Sequence, residues 1–192
     1  MGVSSLDIAI RLIGGSMTEH ATSITSRPIV LLDVDGVVNK VRDLLDADGF
    51  QDFRESKAKG FRIVHSPQMA ARLAALDADI HWLTTWCDDA NAHIAPLLGW
   101  DPLPVVGKEQ YLNVIHGWWK SDAAEAFVKE QGRPFIWLDD DLYSAERVGK
   151  VPWLAECELP NLCISPDTYR GLLPKHLDQI ETWIAEQMAV AA

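Results

Sequence analysis

The sequence predicts an α/β protein: a three-layer, Rossmann-like parallel sheet with helices on both faces. Three observations carry that expectation. Short continuous apolar runs recur along the chain, as strands buried on both faces require. Helical spans of about 10–15 residues separate several of them. The apolar runs also end in acidic or hydroxyl residues, at the carboxyl ends of strands where such sheets bind ligands.

Each element follows in order. Pro28-Ile29-Val30-Leu31-Leu32 is an apolar run ending in acid, which reads as the first buried strand. Residues 40–60 are polar with scattered Gly and predict a flap or irregular hairpin, with Phe61 to His65 as its return strand. Ser66-Pro67 reads as an N-cap followed by Pro at the first helical position. Met69, Leu73 and Leu76 carry that helix forward at helical spacing. Ile80 to Leu83 is a second buried strand, running into Thr84-Thr85. A helix follows through Ala90 to Leu98, closed by Gly99, and Leu103 to Val106 is a third short strand. A loop with Gly117 precedes a helix from about Lys120 to Gln131, with Gly132 as its stop signal. Phe135 to Leu138 and Asn161 to Ser165 are the remaining strands, and Leu172 to Met188 contains the last helix.

Length and composition bound the function. A chain of 192 residues predicts one domain, taken as 28–192 with a small flap at about 40–65. Residues 1–27 read as a loosely attached leader. The apolar stretch Leu6 to Ile13 is interrupted by Asp7 and Arg11, unlike a signal-peptide core. No apolar run approaches the ~20 residues of a membrane helix. With 28 acidic against 17 basic side chains the net charge is −11, which argues against broad sequence-independent DNA binding. Three cysteines with no CxxC spacing predict neither a disulfide framework nor a zinc site, and so a reducing cytoplasm.

Four polar clusters carry the chemistry. In Leu32-Asp33-Val34-Asp35-Gly36-Val37-Val38-Asn39 two carboxylates leave a buried strand two residues apart. Like charges held that close need a compensating cation, and Mg²⁺ suits carboxylates, water and phosphate oxygens. In Trp82-Leu83-Thr84-Thr85-Trp86 a strand-end hydroxyl can donate to a phosphate oxygen. In Trp118-Trp119-Lys120-Ser121-Asp122 a lysine sits at a helix start, where a cation makes sense if it faces an anion. In Trp137-Leu138-Asp139-Asp140-Asp141 three carboxylates follow an apolar strand. The bland alternatives are a capped acidic turn, a strand threonine and a solvated lysine; each cluster alone is compatible with them.

Together, acid pair, hydroxyl, lysine and acid pair occur in an order that resembles the haloacid dehalogenase (HAD) superfamily of phosphohydrolases. More narrowly, LDVDGVVN with WLTTW and WLDDD resembles the HAD-type domain of RNA-repair proteins. The resemblance implies a HAD-like fold and a Mg²⁺-dependent phosphatase. It implies Asp33 as nucleophile, forming an aspartyl-phosphate. It implies Asp35 as general acid and base, its backbone carbonyl also reaching Mg²⁺. Thr84 would hold a phosphate oxygen and Lys120 would offset charge on the nucleophile and phosphoryl group. Asp140 is the favoured direct metal ligand, with Asp139 acting through water, or the reverse. Thr85 duplicates Thr84, and the two point to opposite faces, so only one can serve. An acid at position 35 argues against haloacid dehalogenation itself.

The spacing leaves no room for a large cap domain: 48 residues separate Asp35 from Thr84, and 35 separate Thr84 from Lys120. An open site is expected, taking a phosphorylated small molecule or a nucleic-acid end. Arg42, Arg54, Lys57, Lys59 and Arg62 give the flap a basic cluster. It reads either as a solvated face or as a phosphate-backbone guide. Trp86, Trp118 and Trp119 flank the clusters, and read as core residues before base-stacking ones. Cys87, with His81 or His93 as activator, is a weak rival nucleophile beside Asp33. A phospho-acceptor or binding module on the same fold, with little turnover, is the competing functional class.

Overall fold

The computed structural model describes residues 27–41, 47–108, 111 and 118–190. Four parallel strands form the central sheet: β1 (Ile29–Leu32), β4 (Asp79–Trp82), β5 (Phe135–Leu138) and β6 (Asn161–Ile164), in the order β4-β1-β5-β6. All four residues of β1 and all four of β5 are fully buried. That is why these strands read as unbroken apolar runs.

Side-chain alternation divides the core in two. Val30, Leu32, Ile136 and Leu138 face one side, against Met69 and Leu73 of α1 (Pro67–Ala74) and Leu177, Ile180 and Ile184 of the terminal helix Pro174–Val190. Ile29, Leu31, Phe135 and Trp137 face the other, against the helix Trp119–Gln131 through Ala123, Ala124 and Val128. The intervening helices are α2 (Ala95–Leu98), entered through a π-helical turn at Ala90–Ile94, and a short one at Leu142–Arg147. In chain order the helices that follow α2 among the described elements are labelled α3 (Trp119–Gln131), α4 (Leu142–Arg147) and α5 (Pro174–Val190). The three-layer α/β architecture is therefore the observed one. Among the described residues no helix is long and apolar enough to cross a membrane.

The flap is a two-stranded antiparallel hairpin, β2 (Arg54–Ala58) and β3 (Phe61–His65), closed by Lys59-Gly60. Both turn residues have positive φ, 49° and 85°, as a two-residue hairpin turn demands. Ala58 and Ile63 root the hairpin in the core, while Phe61 at its tip is 65% exposed.

Several predicted details hold. Ser66 is extended and its Oγ accepts from the Met69 amide at 3.0 Å, with Pro67 at the helix start. Gly99 and Gly132 cap α2 and α3 in the left-handed conformation.

Others are corrected. The expected strand Leu103 to Val106 reduces to one bridge, Val105 to Trp82. Pro104 has no N–H for a ladder, so only its carbonyl serves, accepting from the Trp82 amide at 2.8 Å. α4 and a 3₁₀ turn at Pro152–Glu156 occupy a stretch with no expected element. The first 26 residues of the expected leader, Arg42 and Gly117 lie outside the described residues.

Candidate active site

The site forms at the carboxyl ends of β1, β4 and β5, where backbone pairing continues one residue past each strand. The Asp33 amide donates to Leu138 O, Leu83 to Leu32 O, and Asp139 to Ile164 O. Asp33 and Asp139, on neighbouring strands, are thus held at the same level of the sheet.

Lys120, in the first turn of α3, lies between them. Its Nζ donates to Asp33 Oδ2 at 2.6 Å and to Asp139 Oδ2 at 2.7 Å. All three side chains are nearly inaccessible to solvent. Asp33 Oδ1 accepts from the Val34 amide at 2.7 Å, and Asp139 Oδ1 from the Asp141 amide at 3.0 Å. Thr84 is fully buried beside Asp33 and helps to hold the Asp33 carboxylate charged, while its Oγ1 accepts from the Trp86 amide at 3.4 Å.

The electrostatics follow from burial. Desolvation pushes the Asp139 carboxyl up to about 8, Asp33 adds to the shift and Lys120 only partly offsets it. Asp33 is raised for the same reason, against the pull of Lys120, Val34 and Thr84. Burial works against the Lys120 ammonium, but Asp33 and Asp139 outweigh it and hold its pKa above the ordinary lysine value.

Asp140 completes the acidic group. Its Oδ2 accepts from Thr168 Oγ1 at 2.6 Å, and burial raises its pKa. One carboxylate oxygen from each of Asp33, Asp139 and Asp140 lies within 4.8 Å of the others. Gly36 permits this approach. At φ +72° it lies so close to Asp140 that a Cβ there would fall 2.3 Å from Asp140 Cγ. Three clustered carboxylates with raised pKa, all hard oxygen donors, fit a small divalent cation such as Mg²⁺. Asp139 and Asp140 both belong to the group, so the geometry does not reduce the choice of ligand to one of them.

Asp35 is placed apart from this buried group. Its Oδ1 accepts from Asn39 Nδ2 at 2.7 Å and its Oδ2 from Trp86 Nε1 at 2.8 Å. It lines an open cleft of about 600 Å³ between the sheet edge and the flap. Lys40, Val41, Lys59, Phe61, Thr85 and Trp86 line it too, and Asp33 does not. The two threonines separate as their alternation requires: Thr84 lies against Asp33, Thr85 is exposed on the cleft wall.

Of the flagged tryptophans only Trp86 reaches the cleft. Trp118 stacks on Trp137 at 5.2 Å and 10°, and Trp119 is buried; both belong to the core on the α3 side. The flap cations are ion-paired in part, Lys59 with Asp89 and Arg62 with Glu55. Burial and the nearby Asp88 carboxylate push the Cys87 thiol up, opposite to what a thiolate nucleophile needs.

Two supporting residues escaped the sequence reading. Asn39 holds Asp35 while its Oδ1 accepts from the Val64 amide at 2.8 Å, tying the acid loop to the flap. Its place at the end of the LDVDGVVN run was the available signal. Thr168 lies 28 residues from Asp140 in a polar loop, and no local pattern marks it.

The family model for the HAD domain in Swiss Army Knife RNA repair proteins matches residues 29–177, from the start of β1 into α5. No curated protein and no solved structure matches the chain.

Proposed function

Given that the chain belongs to the family of HAD domains in Swiss Army Knife RNA repair proteins, we propose that it is a Mg²⁺-dependent phosphomonoester hydrolase with an open active site. The observation that carries this reading is the buried group of Asp33, Asp139 and Asp140 with Lys120 bridging two of its members.

In this reading Asp33 attacks phosphorus through a carboxylate oxygen, and the P–O bond to the leaving alcohol breaks. Asp35 gives its proton to that leaving oxygen. The products of this half are the free alcohol and an aspartyl-phosphate on Asp33. Asp35, now a carboxylate, takes a proton from water. The water oxygen bonds to phosphorus, inorganic phosphate departs and the Asp33 carboxylate returns. Thr84 orients Asp33 and holds a phosphoryl oxygen. Lys120 stabilises charge on the nucleophile and on the phosphoryl group without reorganising, because its neighbours fix it. Asp33, Asp139 and Asp140, with the Asp35 carbonyl, would hold Mg²⁺. The ion would supply electrostatic stabilisation of the phosphoryl charge. The substrates are phosphorylated molecules large enough to use an uncapped cleft, nucleic-acid ends included, in a reducing cytoplasm.

The test is turnover of small phosphoesters and of 3′- and 5′-phosphorylated oligonucleotides, with and without Mg²⁺, by wild type and Asp33→Asn. The expected result is Mg²⁺-dependent release of phosphate that disappears in the variant. Turnover that survives Asp33→Asn unchanged overturns the mechanism. A long-lived aspartyl-phosphate with negligible hydrolysis would favour a phospho-acceptor module instead.

A further inference from the structure

Packing fixes Asp33, Thr84 and Lys120, which are buried, but not Asp35, which is exposed. The loop that carries Asp35 is closed by its own backbone. The Asn39 amide donates to Val34 O at 2.9 Å and the Gly36 amide to Asn39 O at 2.8 Å. The Asp35 carboxyl group itself is aimed by two side-chain hydrogen bonds, from Asn39 to Oδ1 and from Trp86 to Oδ2. With one donor on each oxygen, both its direction and its plane are set.

Both donors rest on the flap. The Val64 amide in β3 occupies Asn39 Oδ1, which turns the Asn39 NH₂ group toward Asp35. The Trp86 ring packs on the core at one side and meets Phe61, the first residue of β3, at the other. That contact is edge to face, 5.9 Å and 74°, a favoured aromatic geometry. Lys59 in the hairpin turn pairs with Asp89, whose amide donates to Trp86 O at 2.9 Å. One hairpin thus reaches the exposed acid by two routes, through Asn39 and through Trp86. A flap that merely covered the cleft would have no need to touch both donors.

We propose that Trp86 and Phe61 are positioning residues for Asp35, so that the flap tip aims the general acid of the proposed reaction. The inference rests on the phosphatase reading, in which Asp35 serves the leaving oxygen. Its consequence is selective. A proton from Asp35 is needed when the leaving alcohol is a poor anion and hardly needed when it departs readily as one. Loosening Trp86 or Phe61 therefore penalises alkyl esters far more than activated aryl esters. A general loss of structure would penalise both alike.

The experiment compares β-glycerophosphate, an alkyl ester, with p-nitrophenyl phosphate, an activated aryl ester, on the full chain with Mg²⁺. Trp86→Phe keeps a ring and removes the N–H. It should lower kcat on the alkyl ester about 10²-fold, with a much smaller loss on the aryl ester. Phe61→Ala should act in the same direction, about tenfold, and Phe61→Tyr should restore the rate. In an Asp35→Asn background neither substitution should lower the alkyl rate further. Equal losses on the two esters overturn the proposal, as do full additional losses in the Asp35→Asn background. A second measurement separates this inference from its premise. The Trp86 indole N–H, identified in the ¹⁵N NMR spectrum by its disappearance in Trp86→Phe, should exchange faster with solvent in Asp35→Ala and in Phe61→Ala. An exchange rate indifferent to both, beside normal wild-type turnover, would sink the positioning role and leave the phosphatase standing. An indole that responds to both, with no phosphate released from any ester, would sink the phosphatase and leave the hold on Asp35.

Discussion

The two halves of the site use the same residue types under opposite conditions. Around Lys120 the carboxylates are dry: Asp139 is fully buried and Asp33 nearly so. Around the flap the pairs are wet, with Lys59 and Asp89 each close to half exposed. Removing charges from water costs several kcal/mol per ion, and only tight, multiple hydrogen bonding offsets it. The exposed pairs incur little of that cost and contribute correspondingly little. The buried half holds charge at fixed positions, which in the proposed reaction is what a phosphoryl transition state demands. The open half is built to admit and release.

That contrast can be broken most forcefully at Lys120. Lys120→Met leaves Asp33 and Asp139 facing each other without a cation. It should destabilise the fold by about 3–5 kcal/mol, read as a lowered urea midpoint, and abolish turnover. Adding Asp139→Asn should recover part of the stability and none of the activity. If the single variant unfolds at the wild-type midpoint, the buried half is not the tense region described above.

The open half gives the opposite pairing of effects at Asp35. Asp35→Asn should lower phosphate release by about 10²–10⁴-fold, the usual range for a lost general acid and base. Its urea midpoint should stay near wild type, because Asn can still accept from Trp86. A large loss of stability would show that Asp35 belongs structurally with the buried group.

His65 marks the boundary between the halves, at the root of the flap. It is almost fully buried, its Nε2–H facing Leu97 O at 3.0 Å and its Nδ1 without a partner among the described residues. Burial lowers its pKa, with Arg54 adding to the shift. The unfolded chain therefore takes up this proton first, and the stability His65 contributes is full above about pH 6.5 and is lost as pH falls below it. The stability advantage of wild type over His65→Gln should shrink between about pH 7.5 and about pH 5.5. A difference that stays constant with pH would place the boundary elsewhere.

The smallest effect is expected at the flap surface. Lys59→Ala removes the ion pair with Asp89, and the urea midpoint should not move measurably.

Much of this division was legible before any coordinates, for identifiable reasons. Ile29–Leu32 and Phe135–Leu138 are buried on both faces, so their sequences carry no polar residue to confuse the reading. Ser66-Pro67 and Gly132 act locally, and local signals survive tertiary context. The acids at positions 33, 139 and 140 were visible because they terminate those strands. Lys120 stood out because a lysine at a helix N-terminus is anomalous. What stayed hidden was set by distant partners. Leu103 to Val106 reads as a strand, but Pro104 has no N–H to offer at the edge of the sheet. α4 is six residues long with an exposed Tyr143, too short and too solvated to print a helical period. The gathering of Val41, Phe61, Trp86 and Tyr111 joins four separate stretches of chain, and no window along the sequence contains it.

The tight turn at Lys59-Gly60 makes the flap a ruler. With no slack in a two-residue turn, the number of paired residues in β2 and β3 alone sets how far the tip extends past Asp35. Removing two residues from each strand would keep every side chain on its own face and retract the tip by about 7 Å. Removing one from each would turn Phe61 away from the cleft altogether. Hairpin length is thus a single inherited dimension along which the depth of the cleft beside Asp35 can change with the buried group around Lys120 unaltered.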